Sequence, residues 1–350
     1  MARATDTRVT AELDRAGVLR LGAAAAASSG LSGRGGASIA TFPRSHPDWR
    51  IVFVNHALTN PFFVPARYGS ADASTLLGVR TEWTGSVSSD VADMVKAMER
   101  AIDERVAGIA VSLIDPDAFN ELTAVALRRG IPVVSYNADG GTANKRLAYI
   151  GQDNYQSGLE LGARVVSLVS DGEVFLFIAT PGQANIQPRI DGALDAIQDS
   201  GKRISANVVA SGVDVPTERA KVEQTYLAHP DLRGLFAVDA GSTAGVAVVM
   251  REHGLHARGV RAGGYDLLPE TLQAISEGDL DFAIDQQPYL QGFLPVLQLF
   301  FDRYSDGLVA PADTNTGVNF VTRANVAPYV TTRSRYEGSS SRESYPVERK

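Results

Sequence analysis

Residues 108–136 read GIAVSLIDPDAFNELTAVALRRGIPVVSY. Gly108 to Leu113 is a short, mostly apolar run of the kind that forms a strand buried on both faces. Asp115-Pro116 opens a helix, with a capping side chain followed by a proline whose missing N–H costs nothing in the first turn. Gly130 ends that helix, and Ile131-Pro132-Val133-Val134-Ser135-Tyr136 begins the next strand. Strand, helix and strand joined this tightly give parallel strands with helices on the sheet faces.

The same alternation extends in both directions. Upstream, Ile51 to Val54 is a buried-strand run, and Asn60-Pro61 starts a helix whose first turn is disturbed by Pro65. A strand near Val79 to Trp83 follows, and Ser89 caps a helix with Val91, Met94, Val95, Met98 and Ile102 at helical spacing. Downstream, strands are expected near Glu173–Ala179, Ile204–Ala210, Gly234–Val238, Val260–Gly264, Phe282–Asp285 and Val318–Val321. Helices between them are expected at Asn154–Val169, Asn185–Asp199, Pro216–Ala228, Ser242–His253, Pro269–Ser276 and Tyr289–Tyr304. The fold class is α/β, with two doubly wound parallel-sheet lobes. In such sheets ligands bind beyond the carboxyl ends of the strands, so function is sought just after each strand.

Composition narrows the classes. The chain has 350 residues, 44 % hydrophobic and 21 % charged, which suits a globular protein of two domains. A net charge of −7, with no Lys/Arg run in the body, argues against nucleic acid as a partner. With no cysteine there are no disulfides and no thiolate metal sites. The acidic stretches lack calcium-loop spacing, and no metal or other cofactor is expected. Residues 1–47 read as a signal-like, disordered segment: Arg3, Arg8 and Arg15 precede a short apolar run, Val18 to Ala27, and then small residues. Residues 333–350 read as a flexible tail.

A further pattern is carried by short motifs in a fixed order. Asn60-Pro61-Phe62-Phe63 follows the first strand, Asp115-Pro116-Asp117-Ala118 the third, and then comes Gly130-Ile131-Pro132-Val133-Val134. After these come Tyr149-Ile150-Gly151-Gln152-Asp153-Asn154, Gln187-Pro188-Arg189-Ile190-Asp191-Gly192, Gly264-Tyr265-Asp266 and Gln286-Gln287-Pro288-Tyr289. From about Trp49 to Tyr329 the chain resembles the ribose-type (type I) periplasmic sugar-binding proteins, the substrate-binding components of carbohydrate ABC transporters. The resemblance implies a three-segment hinge, with crossovers near Ile150, Ala283 to Gln287 and Asp313 to Gly317. It implies an N-terminal lobe of residues 48–149 and 288–312 and a C-terminal lobe of residues 150–285 and 316–332. It also implies an extracytoplasmic protein, a sugar or sugar alcohol as ligand, a membrane permease as partner, and a monomer. The leader resembles a twin-arginine lipoprotein signal with two departures. A single Arg15 stands where two arginines are expected, and Arg34 stands where the lipidated cysteine would be, which puts a lipid anchor in doubt.

Sugar hydroxyls both donate and accept, and so suit Asp, Asn, Gln and Arg, whereas the C–H faces suit aromatic rings. Carried over from the resemblance, the ligand-binding residues are Asn60, Phe62, Phe63, Ser112 and Asn137 in the first lobe. Arg189, Asp239, Asp266 and Gln286 are those of the second lobe and the hinge. Alternatives stand beside several of these. One phenylalanine packs on its own strand, Ser112 fills space, and Asp239 caps a helix. Tyr136 and Tyr265 either line the pocket or pack. Where the family places an arginine after residue 137 this chain has Ala138, which removes a fork of donors and leans away from ribose. Asp139 reaches the ligand or caps the surface.

No catalytic residues are expected. The five histidines form no HExxH and no GxSxG appears; His56 follows the first strand and either approaches the cleft or, the preferred reading, is a polar loop residue. The competing reading is a sensor, or the effector domain of a lac-repressor-like regulator without its DNA-binding part.

Overall fold

A computed structural model describes residues 45–332 and 336; the signal-like leader, Arg34 and nearly all of the C-terminal tail lie outside the described residues. His46 stacks on Trp49 with ring centroids 4.9 Å apart and reaches Leu77 O at 2.8 Å, so packed structure starts ahead of residue 48.

The first sheet is built from β1 (Arg50–Asn55), β2 (Arg80–Gly85), β3 (Gly108–Val111), β4 (Val133–Tyr136), β5 (Tyr149–Gly151) and β11 (Thr314–Asn315), in the order β11-β5-β4-β3-β1-β2. The second contains β6 (Asp171–Ile178), β7 (Arg203–Ala210), β8 (Gly234–Ala237), β9 (Arg261–Tyr265), β10 (Phe282–Asp285) and β12 (Asn319–Val321), in the order β12-β10-β9-β8-β6-β7. All pairings are parallel except β10 with β12. The strands alternate between two apolar layers. Ile51 and Phe53 face one core while Val52 and Val54 face another. Phe175 and Phe177 are likewise separated from Val174, Leu176 and Ile178. Sheets buried on both faces need this unbroken apolar sequence.

The helices are α1 (Val64–Leu77), α2 (Val91–Asp103), α3 (Asn120–Arg128), α4 (Asn154–Leu168), α5 (Gln187–Asp199), α6 (Val215–Ala228), α7 (Ala240–Glu252), α8 (Pro269–Glu277), α9 (Pro288–Tyr304) and α10 (Ala327–Thr332). Asn60 accepts a bond from Phe62 N at 2.9 Å, and a 3-10 turn over Pro61–Phe63 leads into α1. This is the irregular first turn expected there. Two expected helix starts move. Asp90, not Ser89, caps α2, because Ser89 takes a left-handed φ of 61° and its successor supplies the acceptor. Asp115 does accept from Asp117 N and Ala118 N, but that turn breaks off and α3 begins only at Asn120.

The crossovers fall at or beside the expected places. β5 belongs to the first sheet, so the chain leaves it after Gly151, next to Ile150. β10 lies in the second sheet and α9 packs on α1, so the second passage is Gln286-Gln287. The third runs from Thr316 to Val318, between β11 and β12. The three are laced together. Thr316 N donates to Gly151 O at 2.9 Å, Thr316 Oγ1 to Gln286 O at 2.7 Å, Gln152 Nε2 to Gly317 O at 2.9 Å and Gln287 Nε2 to Thr316 O at 2.6 Å.

Helix α9 returns to the first lobe along α1, backbone against backbone. A Cβ at Gly292 would lie 1.8 Å from Ala66 O, and one at Gly69 would lie 2.1 Å from Tyr289 O. The obstacle in each case is main chain, which cannot rotate away. Gly292→Ala is expected to lower stability by about 1–3 kcal/mol through overpacking. Thermal unfolding should show a drop of several degrees, at roughly 2–4 °C per kcal/mol. An unchanged melting temperature would mean the helices separate without cost.

Candidate functional site

The carboxyl ends of both sheets face a cleft whose rim is closed. Ala184 N, from the loop after β6, donates to Ile114 O, from the loop after β3, at 3.2 Å. Phe62 and Phe63 share an apolar cluster with Ala240, Ala244 and Leu268 of the other lobe. Both phenylalanines are buried, at 7 % and 1 % exposure, so neither is left on the surface. Their rings meet edge to face at 4.8 Å. Phe62 also lines a groove of about 330 Å³ with Pro65, Asp266, Leu268 and Tyr289.

In the first lobe, Asn137 takes a left-handed φ of 63°, a conformation asparagine tolerates better than most residues. Its Nδ2 donates to Gln291 Oε1 at 3.2 Å, while its Oδ1 is buried with no partner among the described residues. Asn60 spends its Oδ1 on the turn beside it. Ala138 is wholly buried in the core under β3 and β4, leaving no room for a long side chain. Asp139 turns away to an ion pair with Arg146 and accepts from Ser135 Oγ at 2.7 Å. Tyr136 and Tyr265 pack rather than line an opening. Both are fully buried, with Asn55 Nδ2 donating to the Tyr136 hydroxyl at 2.8 Å and Ser157 Oγ 2.9 Å from that of Tyr265. Burial pushes the Tyr265 hydroxyl up to about 12.

In the second lobe, Arg189 is a buried cation at 2 % exposure. Its Nε donates to Asn154 Oδ1 at 3.0 Å and its Nη1 to Val238 O at 2.9 Å, with the guanidinium 4.2 Å above the Tyr265 ring. These contacts fix the plane of the fork, and Nη2 takes no bond from the described residues. Asp266, also at a left-handed φ of 71°, accepts from Gln286 Nε2 at 2.8 Å through Oδ1, leaving Oδ2 without such a partner. Burial raises its pKa to about 7, against the opposing pull of Arg189. Gln286 Oε1 accepts from Gln291 Nε2 at 3.1 Å. A continuous chain Asn137–Gln291–Gln286–Asp266 therefore crosses the hinge.

Asp239 does cap a helix. Its carboxylate accepts from Ser242 N at 2.9 Å, Ser242 Oγ at 3.0 Å and Ala179 N at 2.8 Å. Buried Glu218 lies beside it, and burial together with this second carboxyl raises Glu218 well above the ordinary carboxylate range. Most of Asp239's acceptor capacity is thus met inside the protein. Ser112 is fully buried, with its Oγ 2.8 Å from His56 Nδ1. His56 lies in the bend after β1, as a loop residue, but is only 7 % exposed. The sequence reading missed Gln291, at 1 % exposure, and Glu218, at 3 %. The place of His56 directly after a strand is the signal by which the sequence pointed it at the cleft.

A family profile described as a periplasmic binding protein domain matches residues 51–300. The chain belongs to this family. Membership implies a location outside the cytoplasm. Over 310 residues, this periplasmic binding protein is 51 % identical to the xylose/arabinose-binding protein of Sulfolobus acidocaldarius, covering 85 % of this chain and 76 % of the relative. A solute-binding protein of an ABC transporter from Burkholderia graminis, solved with D-arabinose, superposes with a TM-score of 0.75 at 27 % identity, over 80 % of this chain and 97 % of that one. A glucose-galactose binding protein from Geobacillus stearothermophilus gives 0.71 at 26 % identity, over 80 % and 99 %. Among the described residues no group of His, Asp or Glu could hold a metal ion, and no helix is long and apolar enough to cross a membrane.

The raised Asp266 sets a pH dependence with a definite sign. The carboxyl ionises near 3.8 when unfolded and near 7 when folded. Its neutral form is therefore favoured by the fold, and its contribution to stability is complete below pH 3.8 and lost as pH rises to about 7. Asp266→Asn keeps an oxygen for Gln286 and cannot ionise. It should match the wild type near pH 4 and exceed it by on the order of 2–4 kcal/mol above pH 7 in denaturant unfolding. A constant difference between the two across this range would refute the assignment.

Proposed function

We propose that this binding protein captures an aldopentose between its lobes and hands it, as a monomer, to the membrane permease of an ABC importer. The observation that supports this is that each lobe holds a buried polar side chain with an atom unbonded among the described residues: Asn137 Oδ1 in the first, and Arg189 Nη2 and Asp266 Oδ2 in the second. A sugar's adjacent hydroxyls would bridge such a set, donating to the two oxygens and accepting from the guanidinium. Phe62 and Phe63 supply apolar surface for the C–H faces, as in most small-ligand sites. The pentose class is supported by the xylose/arabinose-binding relative and by the D-arabinose complex of the structural neighbour.

Mechanism follows from the division of the site. Neither lobe alone completes the hydrogen bonding of the sugar, so the ligand gains contacts only when the lobes close, and this differential shifts the population toward the closed form. No bond is made or broken. A repressor-type effector role finds no counterpart in the transport binding proteins to which the chain is similar.

Calorimetric titration of the full-length, ligand-free protein with D-xylose, L-arabinose, D-arabinose, D-ribose and D-glucose tests the reading. One or more pentoses should bind, with Asp266→Ala and Arg189→Ala each weakening binding by about 100-fold or more, as for a charged hydrogen bond lost from a buried site. Absence of heat with every pentose, or retention of full affinity in both variants, would overturn it.

A further inference from the structure

We infer that His56 touches the bound sugar through Nε2 and is the first lobe's specificity-determining contact, with Ser112 positioning it. This rests on the sugar reading above.

His56 directly follows β1, and Ser112 directly follows β3, the neighbouring strand. β4, next in the same sheet, is followed by Asn137. Three polar side chains therefore stand side by side along the carboxyl edge of the first sheet, where ligands of such sheets bind. The imidazole is held on two sides. Nδ1 lies 2.8 Å from Ser112 Oγ, and the ring meets Phe63 edge to face at 5.2 Å and 83°. Nε2 takes no hydrogen bond from the described residues, although the residue is 93 % out of solvent, as its 7 % exposure shows. A nitrogen held rigidly in a nearly dry site, and not satisfied by its own protein, is suited to a ligand's hydroxyl.

The protonation state fits. Burial depresses the imidazole to about 4, so the ring is neutral at ordinary pH. A neutral imidazole has one donor nitrogen and one acceptor nitrogen. The hydroxyl of Ser112 fixes which is which, and the sugar hydroxyl meets the other with either polarity. The resemblance placed a donor fork at position 138, where this chain has a buried alanine. His56 restores a polar contact to the first lobe from a different strand, at a different point on the ligand. It also reassigns Ser112, whose hydroxyl is engaged by the ring.

The test uses full-length, ligand-free protein with D-xylose and L-arabinose as probes. His56→Asn places an amide where Nδ1 stood, so the bond to Ser112 survives and the Nε2 contact is lost. His56→Gln places its amide near Nε2. The Asn variant should bind at least about tenfold more weakly with an unchanged melting temperature, and the Gln variant should recover part of the loss. In nitrogen-15 histidine spectra, saturation with sugar should move the Nε2 resonance of His56. If the wild type binds a pentose and His56→Asn binds it equally, or the Nε2 resonance stays fixed at saturation, the role of His56 is refuted while the pentose reading stands. If the wild type binds neither sugar, the pentose reading and the His56 role fall together.

Discussion

Thr316 holds the hinge together. Its amide, hydroxyl and carbonyl reach, in turn, Gly151, Gln286 and Gln287, one bond or more to each of the other two crossovers. Gln291 adds a fourth strut, from Nε2 to Thr316 Oγ1 at 3.2 Å. Two lobes joined by one strand could twist freely. Three strands bound at a common point permit bending about that point and resist shear, and the lobes meet in one register. Every proposed ligand contact depends on this, because Asn137 and Asp266 stand on opposite sides of the hinge and each is tied to it by a glutamine.

The same tying explains why the site is rigid where it is most polar. Asn137 and Asp266 both hold left-handed backbone conformations, at φ 63° and 71°. Such residues are strained unless their surroundings fix them, and here the fixing bonds come from Gln291 and Gln286. Arg189 is fixed by Asn154, Val238 and the face of Tyr265. Little side-chain freedom is left for a ligand to freeze, which favours binding.

Much of this was legible in the sequence. Long apolar runs such as Ile51–Val54 and Val174–Ile178 show themselves because a sheet covered on both faces leaves no polar gap. Strands β5 and β11, three and two residues long, carry too little pattern to be seen, so the crossovers beside them were legible only through the resemblance. At Asp115 the local chemistry was read correctly, but a satisfied cap does not ensure that a helix continues. For the site, residue type could not reveal how much of each side chain's bonding is met internally. Asp239 is engaged by its own helix and by Glu218, and His56 is buried by Ser112 and Phe63, partners distant in sequence or folded back by a turn.

The apolar rim has a consequence of its own. Besides the faces assigned to the sugar, Phe62 and Phe63 meet Ala240, Ala244 and Leu268 of the other lobe. That lobe-to-lobe part of the contact is common to every solute small enough to be enclosed, so it cancels from the ratio of any two affinities. Substitutions at Ala240, Ala244 or Leu268 would then tighten or loosen binding as a whole, like a gain control. Discrimination between epimers is left to the few polar atoms beneath it, and the two properties can drift apart independently as the protein evolves.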